Sequence, residues 1–386
     1  MAAPAPPRRS YRRLFVRTDP VVAPSKVGKW SLSVSTWLHY RAETFIIPAV
    51  ALLASAAYFS VFLICLGKSP GEFFFLIARG GFGTLFSWQN TLVRAAPLIL
   101  TALCVAIPAR MGLVVIGGEG ALVIAGFSAG AIAIPLDQSV APMFITLAMG
   151  LTAVVVGACW IGLVGWLRHA RGVNETISSL LLTYIAIAIV NFFIEGVLRN
   201  PADPNRPSTK AINPDAMVGA IPGLHVHWGL AAGVILAGLL YLLMDRTTFG
   251  FAARIAGGNP RVAEAQGLSV GRLIVTGCFI GGACAGLAGF FEVAAVHGRA
   301  NAALHANYGF TGILVSFLAR HSPLAIIPVA CLFGGIGAAG GLIQRRMELP
   351  DATVLLLQGV VFVTLLASET LYGRLPFFRA TQDSHA

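Results

Sequence analysis

Charged side chains inside apolar segments are the residues of this chain that could take part in chemistry. Glu119 lies among three glycines in GLVVIGGEGALVIAG (residues 112–126), and Glu292 lies in a second apolar segment. A charge in a membrane-spanning segment is costly, and it usually faces the bundle interior or a water-filled path. Both carboxylates are therefore candidates for a gate, a path or a proton carrier. Arg94 and Glu195 are further candidates, although a position at the membrane interface explains them equally well.

A stripe of polar residues follows in the segment 175–198. Thr176, Ser179, Thr183 and Asn191 are spaced so that they fall near one face of a helix. In an otherwise apolar helix we expect this face to point into the bundle. The predicted residues of a path or gate are Gly117, Gly118, Glu119, Gly120, Ser179, Thr183, Asn191 and Glu292.

Motifs of enzymes are missing from the sequence. It contains no HExxH zinc motif, no GxSxG nucleophile motif and no pair of carboxylates in one short stretch. Gly67-Lys68-Ser69 resembles the end of a phosphate-binding loop, but Phe62 occupies the position of its first glycine. His225 and His227 have the spacing of a metal pair, for which a solvated loop is the simpler explanation. We therefore expect no catalytic residue, no metal site and no bound cofactor in this chain.

The composition is that of a membrane protein with many spans. The chain has 386 residues, of which 56% are hydrophobic and 11% charged, and its mean hydropathy is +0.79. A soluble domain carries about 25% charged residues. The six cysteines form no CxxC pair and are typical of small packing residues. The net charge of +11 is explained by basic loops on the cytoplasmic side, so we expect no nucleic-acid partner.

Apolar segments long enough to cross a bilayer predict an all-α, polytopic membrane protein with about 10 transmembrane helices, within a range of 8–10. The predicted spans are 44–66, 91–109, 119–136, 142–167, 175–198, 228–244, 273–296, 309–320, 323–344 and 351–371. Residues 72–90 are apolar but interrupted, which indicates a re-entrant or interfacial element on the outer side. Span 309–320 is short, as expected of a half-helix buried in protein.

The distribution of lysine and arginine predicts that both termini are cytoplasmic. On this model of the topology 18 basic residues lie inside and 9 outside, in agreement with the positive-inside rule. Arg345 and Arg346 are an exception, because they fall outside.

Three regions follow from this topology. They are a basic N-terminal arm (1–43), a transmembrane domain (44–372) and a C-terminal tail (373–386). Within the domain, the loop 199–227 is external and irregular, whereas the loop 245–272 is internal. Asn259-Pro260 predicts the start of a short helix in the internal loop, and Gly267 lies just past its end.

Five ordered segments resemble a known family. They are GLVVIGGEGALVIAG (112–126), NETISSLLLTYIAIAIVNFF (174–193), TFGFAARIAGGNPRVAEAQGLSVGR (248–272), GACAGLAGFFEV (282–293) and YGFTGILVSFLARHSP (308–323). The chain resembles the permease subunits of bacterial ABC importers of the simple-sugar and nucleoside class, which are related to ribose and branched-chain amino acid permeases. The resemblance covers residues 91–372 and implies a bundle like that of type II ABC importers.

The resemblance also implies partners and a location. A separate cytoplasmic ABC ATPase would use ATP and Mg²⁺, a periplasmic or lipid-anchored binding protein would deliver the solute, and a second, paralogous permease would complete the path. The chain would lie in the bacterial cytoplasmic (inner) membrane. An ion-coupled secondary carrier or channel for a small polar solute is the alternative. The residues implied in coupling to the ATPase are Arg254, Asn259, Pro260, Arg261, Glu264 and Gly267.

Overall fold

The computed structural model describes residues 34–136, 140–203, 205 and 207–369. The C-terminal tail and most of the predicted N-terminal arm lie outside these residues. The described residues form helices and no strand, apart from two isolated β-bridges that join Ser208 to Asn301 and Ala220 to His227. The all-α prediction is therefore confirmed.

The described part of the chain contains thirteen α-helices. They are α1 (Val34–Cys65), α2 (Pro70–Phe82), α3 (Leu85–Ala109), α4 (Gly118–Leu136), α5 (Pro142–Arg171), α6 (Glu175–Glu195), α7 (Gly229–Arg246), α8 (Thr248–Gly258), α9 (Pro260–Ala265), α10 (Val270–Phe291), α11 (Tyr308–Leu318), α12 (Pro323–Met347) and α13 (Ala352–Glu369). Eight of the described helices are long and apolar enough to cross a membrane, and the apolar segments Ala302–Leu318 and Ala352–Ser368 are shorter. This number lies within the predicted range.

The sequence predicts one interrupted element over residues 72–90, whereas the structure divides this segment between two helices. α2 ends at Phe82, and α3 already begins at Leu85, so residues 85–90 belong to a long helix. The break forms because the Thr84 hydroxyl accepts a hydrogen bond from the Ser87 backbone N–H at 3.1 Å and thereby starts α3. α2 itself packs on α1, where the Phe59 and Phe73 rings lie 5.1 Å apart.

Glycines allow the central helices to approach closely. α3, α4, α5 and α10 pack together in the middle of the bundle. A Cβ atom on Gly126 of α4 would lie 2.8 Å from the carbonyl oxygen of Gly289 in α10, so neither helix has room for a side chain there. Small residues at such contacts are how membrane helices gain packing energy.

The two ends of the bundle differ in structure. One end carries α8 and α9, and we call it the coupling end because the residues predicted to couple to the ATPase lie there. The opposite end carries the loop 199–227, whose described residues are irregular apart from one 3-10 turn, Pro214–Ala216. This loop is held on the segment after α10 by backbone hydrogen bonds from Thr209 N to Ala300 O (2.9 Å), Ile212 N to Gly298 O (2.8 Å) and Val218 N to Ala294 O (2.9 Å).

α12 starts at the coupling end and runs to the other end, where Arg345 and Arg346 are exposed. The structure thus keeps this arginine pair on the same end as the loop 199–227, and the pair remains an exception to the charge rule.

Candidate functional site

Two helix N-termini meet inside the bundle. α4 begins at Gly118 and α11 begins at Tyr308, and these helices end at opposite ends of the bundle. Gly309 packs directly on the backbone of Glu119, where a Cβ atom could not be accommodated. Each helix start carries unpaired N–H groups and partial positive charge. An anionic group placed between the two starts is therefore stabilised by both.

Glu119 is that group. Its side chain is fully buried. Its Oε1 accepts a hydrogen bond from Asn307 N at 2.9 Å and its Oε2 accepts one from Gly309 N at 2.6 Å. His305 Nδ1 lies 3.3 Å from Oε1. Glu119 lies in the first turn of α4, as predicted, and its carboxylate binds the N-terminus of α11.

The residues before α4 are extended and need hydrogen-bond partners from side chains. Ile116 N donates to Ser179 Oγ at 3.0 Å. Thr176 Oγ1 donates to Val114 O at 2.8 Å. In a bilayer, backbone groups outside a helix must be satisfied by the protein itself. The polar face of α6 therefore supports the extended connector between α3 and α4.

Thr183 continues this contact along α6. It is buried and packs against Gly120, and Ser179 packs in the same way against Gly117. Asn191 is exposed, so the structure does not place it with the other members of the predicted stripe. Gly117, Glu119, Gly120, Ser179 and Thr183 thus form one cluster, to which Gly118 belongs as the first residue of α4.

Glu292 lies in a different cluster. It is buried at the end of α10, where the backbone continues as a π-helix, Glu292–His297. Its Oε2 lies 3.5 Å from His297 Nε2. Arg94 and Glu195 are exposed.

The two histidines of the external loop lie in different surroundings. His225 is exposed, whereas His227 is buried and its Nδ1 accepts a hydrogen bond from Gly229 N at 3.1 Å. Burial lowers the pKa of the His227 imidazole below its usual value. Across the described residues, no group of three His, Cys, Asp or Glu could hold a metal ion.

A groove runs along α11 and α13 and opens on the side of the bundle. Its larger part has a volume of about 600 Å³ and a smaller part has about 270 Å³. Asn307, Thr311, Leu355 and Gln358 line both parts, so the two lie next to each other. The Thr311 hydroxyl donates to Gln358 Oε1 at 3.2 Å.

The two parts of the groove differ in chemistry. The smaller part, towards the loop end, is lined in part by Arg94, Tyr308 and Asp351. The larger part has no charged lining residue and extends towards the coupling end. Its wall includes Val114, Ile116, Phe310, Phe317 and Phe362.

The sequence did not single out Thr311 or Gln358. The available signal was the amide of Gln358 in the apolar stretch of α13, because a buried polar side chain in such a helix needs a hydrogen-bond partner. The identity of the partner depends on contacts between distant segments.

At the coupling end, a short helix forms where the sequence predicts it. α9 begins at Pro260, and the Asn259 side chain accepts hydrogen bonds from Arg261 N at 3.1 Å and Val262 N at 3.3 Å. Gly267 follows the helix with φ +80°, which favours glycine. α8, the preceding helix, was not predicted.

The predicted coupling residues are all accessible. Ala263 of α9 packs inward with Ala256 and Val270, which fixes the helix on the bundle. The exposed residues of this loop include Arg254, Asn259, Pro260, Arg261, Glu264 and Gly267. The geometry is that of a short helix whose outer face is free to contact another molecule.

Most of the chain matches one protein family. Residues 87–366 match the family described as branched-chain amino acid transport system / permease component. The chain is 30% identical to the glucose ABC transporter permease protein TsgB13 of Haloferax volcanii, across 87% of this chain and 90% of that protein. It is 28% identical to the guanosine ABC transporter permease protein NupP of Bacillus subtilis, across 85% and 94%. It is 25% identical to the probable riboflavin import permease protein RfuC of Treponema pallidum, across 82% and 84%.

Proposed function

Because the chain belongs to the family of branched-chain amino acid transport system permease components, it is a membrane permease subunit of an ABC transporter, and we propose that it forms half of the path for a nucleoside or a simple sugar. The observation that carries this proposal is the groove along α11 and α13. It lies beside these two helices and is open on one side, where lining residues such as Leu355 and Gly359 are exposed.

A second subunit closes the path in this proposal. The groove is open on one side in this chain, so a solute moving along it would meet lipid there. A second permease with a matching face removes that contact and encloses a volume typical of sites for small molecules. We propose a paralogous permease as this partner.

The solute is uncharged. The larger part of the groove has no charged lining residue, and an ion would lose its hydration there without compensation. The three phenylalanines of the wall offer faces on which a planar ring can stack. Thr311 and Gln358 supply a hydroxyl and an amide for hydrogen bonds. Together these groups suit a nucleoside better than a monosaccharide.

The energy comes from a separate subunit. We propose that the exposed face of α8 and α9 contacts a cytoplasmic ABC ATPase, which binds ATP and Mg²⁺. Arg254, Arg261 and Glu264 provide charges for that contact, and Asn259, Pro260 and Gly267 set the direction of α9. A periplasmic or lipid-anchored binding protein docks at the opposite end, including the loop 199–227, in the bacterial inner membrane.

Transport by reconstituted vesicles tests the proposal. The chain is reconstituted with its second permease, ATPase and binding protein, and uptake of labelled guanosine and glucose is measured. We expect uptake of guanosine to require ATP and to continue after a protonophore collapses the proton gradient. Uptake that is driven by the gradient without an ATPase would instead identify an ion-coupled carrier. ATP-driven uptake of glucose alone would keep the ABC mechanism and reject the nucleoside.

A further inference from the structure

Two ion pairs that share Asp245 join the ends of α3 and α7 to α8 at the coupling end. Arg110 follows the last residue of α3, and its Nη1 lies 2.9 Å from Oδ1 of Asp245 near the end of α7. Nη1 of Arg254 in α8 lies 3.8 Å from the same oxygen. The Arg110 side chain is 16% exposed and that of Asp245 is 24% exposed. Water therefore screens this pair less than it screens an ion pair on the surface.

Arg110 also reaches the turn that follows α11. Its Nε donates to His321 O at 3.3 Å. The His321 ring lies 2.9 Å from Ser316 Oγ in the last turn of α11, measured from Nδ1. Burial, and then the charge of Arg110, lower the pKa of His321 to about 4. The imidazole is therefore neutral at physiological pH and does not repel the guanidinium.

The backbone beside Arg110 is in direct contact with α8. Gly257 packs on the Arg110 carbonyl so closely that a Cβ atom could not be placed there. The chain then passes through Gly112 to Val114 and Ile116, which line the groove. α8 thus touches the connector that forms part of the groove wall.

From these contacts we infer that Arg110 is a positioning residue that transmits a displacement of α8 to α11 and to the groove wall. The inference rests on the proposed function, in which the ATPase moves α8 and α9. Coupling between distant sites is carried by packed and hydrogen-bonded elements of this kind. Asp245 holds Arg110 and Arg254 together, and the bond to His321 passes the movement to the inner end of α11.

Arg110→Gln tests this role in the complete transporter. The substitution removes the charge that binds Asp245 but does not change the exposed face of α8 and α9. We therefore expect the ATPase still to co-purify and to hydrolyse ATP. We expect the amount of solute transported per ATP to fall about fivefold or more. Asp245→Asn should have the same effect. Arg110→Lys, which keeps the charge but loses the fork of donors, provides a milder variant in case Arg110→Gln does not fold.

Arg168→Gln is the matched control. It breaks another ion pair of the same end, which joins Arg168 of α5 to Glu175 of α6 at 3.4 Å and is separate from the pairs of Asp245. Its transport per ATP should equal that of the unchanged chain. The inference is overturned if Arg110→Gln transports normally per ATP, if it behaves like the control, or if it only releases the ATPase. If the unchanged chain itself binds no ATPase, the proposed function fails instead.

Discussion

The carboxylate of Glu119 caps the start of a helix, which is usually done by a residue next to that helix in the chain. It caps α11 from a position 190 residues earlier in the chain. Both oxygens accept backbone N–H groups, and the side chain is fully buried. Hydrogen bonds to charged groups are stronger than those between neutral groups. The structure therefore gives this acid a role in joining two helices.

Glu119→Gln should weaken that joint. A glutamine amide offers one acceptor oxygen, and its NH₂ would face a backbone N–H. We expect a loss of about 1–3 kcal/mol in the free energy of unfolding, together with slower transport. Thermal unfolding in detergent and uptake measure the two effects. Glu195→Gln, at an exposed position, is the control. Equal melting temperatures and equal uptake for both variants would show that Glu119 is an ordinary residue of a helix start.

Gln358→Leu should weaken solute binding in the groove. The substitution keeps the size of the side chain but removes the amide that lies beside Thr311. Loss of one hydrogen bond to an uncharged solute should raise the KM of uptake by about tenfold. ATP hydrolysis without solute should not change. Gln344→Leu, on an exposed part of α12 outside the groove, should leave KM unaltered. An unchanged KM in Gln358→Leu would remove this residue from the path.

The helix α9 has six residues and depends on its cap. Short helices are marginal by themselves, and packing and capping stabilise them. Asn259 supplies the cap, and Ala263 supplies the packing. Its exposed face is therefore presented in one orientation.

Asn259→Ala removes the cap and should cost about 1 kcal/mol of helix stability. We expect less ATPase to co-purify with this variant. Asn259→Asp keeps an acceptor at the same position and should restore binding. Asn174→Ala removes the same kind of cap from α6 and serves as a control. If both alanine variants retain equal amounts of ATPase, the contact lies elsewhere.

For the whole molecule, the orientation in the membrane can be measured with single cysteines. Ala202→Cys places a cysteine at an exposed position of the loop 199–227. Arg171→Cys places one at an exposed position of the coupling end. An impermeant maleimide should label the first in intact cells and the second only after permeabilisation. The unmodified chain gives the background of its own cysteines. The opposite pattern would invert the topology.

The sequence predicted the helical bundle because each span is a local run of apolar residues. It also predicted α9, since Asn259, Pro260 and Gly267 are local signals. It did not predict the pair of Thr311 and Gln358, because that contact joins two helices. The extended connector before α4 was missed for the same reason, since the side chains that satisfy it belong to α6. Long-range partners of polar groups cannot be deduced from spacing alone.

The meeting of α4 and α11 has a consequence for biosynthesis. The two backbone donors for Glu119 belong to residues 188 and 190 positions later in the chain. At about 5–20 residues per second, a ribosome makes them about 10–40 s after the acid itself. During this interval α4 holds a carboxylate without its final partners, and Ser179 and Thr183 of α6 are made first. A nascent chain that stops after α10 should therefore leave Glu119 uncapped, and the carboxylate gains its final partners only when α11 inserts.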